Sequence, residues 1–146
     1  VKELGRRYVA EHLKQDALEL SNSKRLMEYL RFELLGETQE VFAVLCLDAC
    51  LRKISFKKLF YGAVNSCEIS INQLLRFAIS QHATAIVIAH NHPFGLPHPS
   101  RADLILPQQI QQACQLLELR LIDHCIISSE GTVSFAEQQL LKFEHT

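Results

Sequence analysis

Ala85-Ile86-Val87-Ile88-Ala89-His90-Asn91-His92-Pro93 decides how this chain folds, and the six residues after it lead to Ser100-Arg101-Ala102-Asp103. The apolar, β-branched run 85–89 predicts a buried strand. Side chains alternate across a strand, so His90 and His92 emerge on one face and Asn91 on the other. Pro93 cannot donate to a ladder and ends the strand, leaving both imidazoles at its C-terminal end. Gly95-Leu96-Pro97-His98-Pro99 then makes a rigid turn, and Ser100 is a natural N-cap for a helix from about residue 101 to 118. Asp103 falls in that helix's first turn, able to face back toward the histidines. Two neutral imidazoles and a carboxylate form a three-ligand set that leaves a coordination position for water, as catalytic zinc sites do. The pattern predicts a metal-dependent hydrolase.

Each half of the pattern has a plainer explanation. Ser100-x-x-Asp103 is a capping box with a favourable first-turn acid whether or not a metal binds. A His-x-His pair at a strand end is commonly a hydrogen-bonded surface or core pair. Capping, however, does not account for two histidines on one face immediately upstream. The conjunction therefore carries the expectation of a metal site at His90, His92 and Asp103.

His-x-His-Pro, six residues, Ser-x-x-Asp resembles the motif of the JAMM (MPN-plus) metallopeptidases. The full string from His90 to Asp103 resembles the RadC branch of bacterial proteins. Glu40-Val41-Phe42-Ala43-Val44-Leu45-Cys46-Leu47-Asp48 is similar to that family's first strand with its preceding glutamate. Asp123-His124-Cys125-Ile126-Ile127 and Ser134-Phe135 are similar to its later strands. The likeness spans roughly residues 23 to 141. It implies one Zn²⁺ per chain, a peptide or protein substrate, and hydrolysis of amide or isopeptide bonds. By the same likeness Glu40 is the general acid/base. Ser100, where its hydroxyl is not consumed entirely by capping, is placed to hydrogen-bond the developing oxyanion. RadC-like chains commonly carry Pro-Arg-Glu where this one has Ile71-Asn72-Gln73, and Phe94 stands where a small polar residue is usual. Long relatives also carry a helix-hairpin-helix segment ahead of this domain. Residues 1–22 are expected to be a remnant of that segment or a linker, with 4–10 the tail of its last helix, and 23–146 the hydrolase domain.

Composition limits the alternatives. With 146 residues, 48% of them hydrophobic, the chain has material for one domain and one core. No apolar stretch approaches the roughly 20 residues needed to span a bilayer. The N-terminus is charged and lacks a signal-peptide apolar region, so a cytoplasmic protein is expected. Five cysteines, with no C-x-x-C pair, suit reduced thiols, and Cys46, Cys114 and Cys125 sit in apolar patterns as small buried hydrophobes do. Net charge is −1, with basic residues scattered in short pairs. Weak or no direct DNA binding is expected, because a nucleic-acid binder should present a basic face.

Elsewhere, 24–35 suits an amphipathic helix preceded by Ser23 and ending at Gly36. Strands are expected at 41–48 and 52–61, joined by a turn at 48–51. Residues 69–81 suit a helix capped by Ser70, with Leu74, Leu75, Ala78 and Ile79 turned inward. A strand near 120–128, a short strand at 132–135 and a terminal helix complete the order α-β-β-α-β-α-β-β-α. The fold class is α/β: a mixed sheet with flanking helices, and the resemblance implies the cytidine-deaminase-like JAB/MPN architecture.

Three other functional classes stay open at this point. A zinc deaminase needs H-x-E and P-C-x-x-C, and the chain has neither. Two histidines and a carboxylate also form the facial triad of non-haem Fe(II) oxygenases. A metal-containing interaction module associated with DNA repair would keep the fold without turnover. His124 and Asp123 are expected to be structural or, at most, supporting residues behind the metal ligands.

Overall fold

A computed structural model describes residues 18–62 and 69–141. Among them are three helices and five strands: α1 (Ser23–Leu34), β1 (Val41–Leu47), β2 (Lys53–Tyr61), α2 (Ile71–Ser80), β3 (Ala85–His92), α3 (Arg101–Leu116), β4 (Arg120–Ser128) and β5 (Gly131–Ser134). The sheet runs β2-β1-β3-β4-β5. β1 is antiparallel to both β2 and β3, β3 is parallel to β4 through the α3 crossover, and β5 returns antiparallel to β4. The mixed sheet with helices on its faces is as expected.

The two-residue period of the strands sorts the core into two layers. Val41, Ala43, Leu45 and Leu47 of β1, with Ala85, Val87 and Ala89 of β3, pack against Leu26, Leu30 and Leu34 of α1. The alternate residues Phe42, Val44 and Cys46, with Ile86 and Ile88, meet Leu74, Leu75 and Ala78 of α2 and Leu106, Ile110 and Cys114 of α3. β1 and β3 are apolar on both sides because both of their faces are covered, which is why neither shows polar alternation. Continuing the β3 period puts His90 and His92 on the α2/α3 face and Asn91 on the α1 face.

Local signals behave as their chemistry requires, with four departures. Asn22 caps α1, its side chain accepting from Lys24 N (2.9 Å) and Arg25 N (3.3 Å), so Ser23 is the first helical residue and not the cap. Ser70 caps α2 as expected, accepting from Gln73 N at 3.1 Å. Ile79, expected inside, is 51% exposed, because the buried stripe of α2 closes on Leu74, Leu75 and Ala78. α3 ends at Leu116, short of Glu118, and runs through Pro107. No terminal helix follows β5 in the described residues. Instead 135–139 form turns closed by Gln138 N to Ser134 O and Leu140 N to Phe135 O, which bury Phe135 and Leu141.

Ahead of α1, Leu20 N donates to Leu51 O and Lys53 N to Leu18 O, both at 2.8 Å, so 18–20 lie along the β1–β2 turn. The expected helical tail at 4–10 lies outside the described residues, as do Cys67, His12 and His145. Cys46, Cys114 and Cys125 are buried and unpaired, as expected of small apolar side chains, while Cys50 is exposed. No described helix is long and apolar enough to cross a membrane.

Candidate metal centre

Strand β3 delivers two imidazoles to the end of the sheet, and α3 delivers a carboxylate to meet them. His90 Nε2 and His92 Nε2 lie 3.3 Å apart. Asp103 Oδ1 is 3.1 Å from His90 Nε2, and its Oδ2 is 3.3 Å from His92 Nε2. His90 and Asp103 are buried and His92 is half-buried. Ligand atoms about 2.0–2.1 Å from a tetrahedral zinc ion lie about 3.3 Å from one another. The side-chain contacts approach that spacing, one donor atom from each residue lies within 4.8 Å of the others, and the three residues form the group that could hold a metal ion among the described residues.

The hydrogen bonds behind the donors strengthen that fit. His92 Nδ1 faces the carbonyl of Leu96 at 3.1 Å, so it must carry the proton, and a neutral His92 then presents a lone pair at Nε2. Gly95, at φ +102°, allows the loop reversal that returns Leu96 to His92. A lone pair facing an acidic oxygen calls for a cation between them. A proton can serve as that cation: in the protonated ring a hydrogen bond to Asp103 raises the pKa of His92 against the opposing effect of burial, assisted by Leu96. Burial pushes the Asp103 carboxyl up, but hydrogen bonds from His90 and His92 outweigh it and hold the group well below the usual carboxylate range.

The capping box and the ligand set prove to be the same residues. Ser100 Oγ accepts from Asp103 N at 3.1 Å, and Asp103 Oδ2 accepts from Ser100 N at 2.8 Å. The box locks the carboxylate's rotamer, so capping is how the helix aims its ligand. It uses the Ser100 oxygen as acceptor and leaves the hydroxyl proton to donate outward.

Glu40 immediately precedes β1. With His92, Pro93, Phe94, Ser100 and Asp103 it lines an open pocket of about 360 Å³, and its charge contributes to the raised pKa of His92. Asn91 explains its placement. From the opposite face of β3, the Asn91 amide accepts from Val41 N (2.6 Å) and donates to Gln39 O (3.0 Å), gripping the residues on either side of Glu40. Gly62 N donates to the Glu40 carbonyl at 2.8 Å. Glu37 is paired with Lys58 at 2.5 Å. Thus all five residues singled out from the sequence converge, while the part played by Asn91 was not read from it beyond its face of the strand.

His124 of β4 lies behind the site, its Nε2 2.9 Å from His90 Nδ1. It is fully buried between Phe42 and Phe135, with ring centroids 6.2 and 4.7 Å away. Burial, together with the neighbouring His90, holds its pKa well below the imidazole range. Asp123 turns elsewhere: its carboxylate accepts from His124 N (2.8 Å), Ser134 Oγ (2.5 Å) and Ala136 N (2.9 Å), tying β4 to the turn after β5. Cys125 points into the α1 layer, away from the metal ligands.

A family model described as the RadC-like JAB domain matches residues 20–140. The chain belongs to that family. Its mixed sheet and flanking helices agree with the JAB/MPN-type fold. A UPF0758 protein of Acinetobacter baylyi is 64% identical over 141 residues, covering 97% of this chain and 52% of that protein. One from Acinetobacter baumannii shows the same identity and spans 60% of its length. One from Psychrobacter cryohalolentis is 44% identical, with 62% of its length covered. This chain thus spans between half and two thirds of the relatives it matches.

Proposed function

We propose that this RadC-like domain is a zinc-dependent hydrolase of amide or isopeptide bonds in peptide or protein substrates. The observation that carries the reading is the convergence of His90, His92 and Asp103, with contacts of 3.1–3.3 Å between their side chains, at a pocket lined by His92, Asp103, Glu40 and Ser100. His90, His92 and Asp103 would hold the ion. A zinc ion held there would supply a Lewis acid for the scissile carbonyl and would lower the pKa of water toward about 7. Glu40 takes the proton of the attacking water and returns it to the leaving amine nitrogen. Ser100, whose oxygen is already occupied as the helix cap, donates its hydroxyl proton to the developing oxyanion. Asn91 keeps Glu40 over the pocket.

The test begins with metal content. Elemental analysis of protein purified without a metal-affinity tag should find about one zinc per chain; stoichiometric iron would favour the oxygenase reading instead. A peptide and isopeptide library then identifies a cleaved substrate. Glu40→Gln should retain zinc and fold while losing about 10²–10⁴-fold in turnover, the usual contribution of general acid–base catalysis. Glu37→Gln, which keeps an acceptor for Lys58, should match wild type. Equal turnover by Glu40→Gln would remove Glu40 from the mechanism, and a zinc-loaded chain that cleaves nothing would point to an interaction module.

A further inference from the structure

We infer that His124 is a positioning residue for the metal centre: its Nε2 accepts the Nδ1–H of His90, fixing the tautomer in which His90 Nε2 carries a ligating lone pair. This rests on the metal reading above. Only one proton fits between two ring nitrogens 2.9 Å apart, so two arrangements exist for a pair of neutral rings. If His124 donates, His90 accepts at Nδ1 and its own proton sits on Nε2, aimed at Asp103 and His92, where it blocks ligation. If His90 donates, its Nε2 lone pair joins those of His92 and Asp103. Holding a metal therefore requires His124 to accept at Nε2 and carry its own proton on Nδ1.

The surroundings of His124 permit that arrangement and no competing use of the ring. Its Nδ1 is buried and has no hydrogen-bond partner among the described residues. A donor on that side would have forced the proton onto Nε2. Asp123, adjacent in sequence, is fully engaged by His124 N, Ser134 and Ala136, which anchors the strand and seats Phe135 against the imidazole. Phe42, across the ladder from His90, stacks on that ring at 13° and 6.4 Å. Both rings are thus held in orientation by aromatic packing, and the bond between them sets the proton.

The two ligating histidines consequently have different partners. His92 is oriented by a backbone carbonyl, the more usual device, whereas His90 is oriented by a neutral imidazole. A neutral acceptor adds no negative charge behind the site.

The experiment uses the full chain with ¹⁵N-labelled histidine, titrated with zinc and followed by ring-nitrogen NMR. In the zinc-loaded protein, His90 and His124 should both carry their proton on Nδ1, with a hydrogen-bond coupling between His90 Nδ1 and His124 Nε2. A proton on His124 Nε2, or no coupling, overturns the assignment. Zinc competition titrations add a second readout. His124→Phe, which keeps the packing and removes the acceptor, should weaken zinc binding by about 10–100-fold, as loss of a ligand's hydrogen-bond partner typically does. His124→Gln restores an acceptor oxygen and should recover most of the loss. Wild-type affinity in His124→Phe also overturns the assignment, and should that variant not fold, the wild-type spectrum decides alone. A wild-type chain that takes up no zinc sinks the metal reading and this inference together. Zinc uptake with the wrong tautomer sinks only the inference.

Discussion

The two faces of the sheet are built from the same strands and have opposite characters. On the α1 side, β1 and β3 present Val41, Ala43, Leu45, Leu47, Ala85, Val87 and Ala89 to Leu26, Leu30 and Leu34. Asn91, the polar side chain that β3 adds there, has both ends of its amide bonded to backbone. On the α2/α3 side, the same strands are apolar up to His90 and His92 of β3, which cluster with His124 of β4 and Asp103 of α3. Buried polar groups are costly unless they are paired. On the α1 face Asn91 meets that requirement through backbone partners, whereas the other face turns the donor atoms of His90, His92 and Asp103 toward one another. A polar side chain tied to backbone belongs to the scaffold, and a cluster of imidazoles and a carboxylate turned toward one another belongs to a candidate site.

The sharpest way to break this comparison is to change the carboxylate without changing the helix cap. Asp103→Asn keeps an oxygen that can accept from Ser100 N, so the start of α3 should survive and circular dichroism should match wild type. Zinc affinity, measured by competition titration, should fall by more than the about 10–100-fold expected for loss of a ligand's hydrogen-bond partner. Unchanged zinc affinity would mean that Asp103 is a capping residue and nothing more.

The complementary change belongs to the satisfied face. Leu30 is fully buried on α1, and Leu30→Ala should cost about 2–5 kcal/mol through lost transfer energy and the cavity left behind. Urea denaturation checks the magnitude. Zinc bound per folded chain should remain at the wild-type value. A loss of stoichiometry would mean that the two faces are coupled more tightly than their separate packing implies.

Asn91 is where the faces communicate. Asn91→Leu would leave Val41 N–H and Gln39 C=O without their partner, a penalty of about 1–3 kcal/mol for a buried unsatisfied group. It should lower turnover on any identified substrate while zinc affinity holds, because Glu40 would lose its clamp and His90 and His92 would not. Equal losses in turnover and zinc affinity would place the effect in β3 itself.

What could be read in the sequence follows the same division. The ligand triad was legible because its logic is local: strand alternation puts His90 and His92 together, and a capping serine puts Asp103 in the first helical turn. The strands were legible to within about one residue because β-branched runs ended at turn residues. His124 was legible only as a histidine in an apolar run. Its contact with His90 depends on the parallel register that pairs Ile88 with His124 and His90 with Ile126 across a crossover, and no local pattern encodes register between distant strands. Ile79 misled because α2's periodicity continues past the point where the sheet can cover it. The turns after β5 escaped notice because they are held by Asp123, eleven residues before Ser134 in the chain.

The smallest expected effect compares thiols that happen to sample both faces. Cys125 lies in the α1 layer, Cys46 and Cys114 lie in the α2/α3 layer, and Cys50 is exposed in the β1–β2 turn. Burial pushes the Cys114 thiol up to about 11 and also raises the pKa of Cys46 and Cys125. All three therefore lack both access and thiolate at neutral pH, the two requirements for alkylation. Iodoacetamide labelling of the native protein, mapped by peptide mass spectrometry, should modify Cys50 promptly and the other three only as the fold opens. If zinc binds the folded state alone, its addition should slow labelling of the buried thiols by up to the factor 1 + [Zn]/Kd, leaving Cys50 unchanged. Equal slowing of Cys125 and Cys114 would mean that both faces open in a single unfolding event. Slowing confined to Cys114 and Cys46 would mean that the metal-bearing face opens independently. Prompt labelling of Cys125 would contradict its placement under α1.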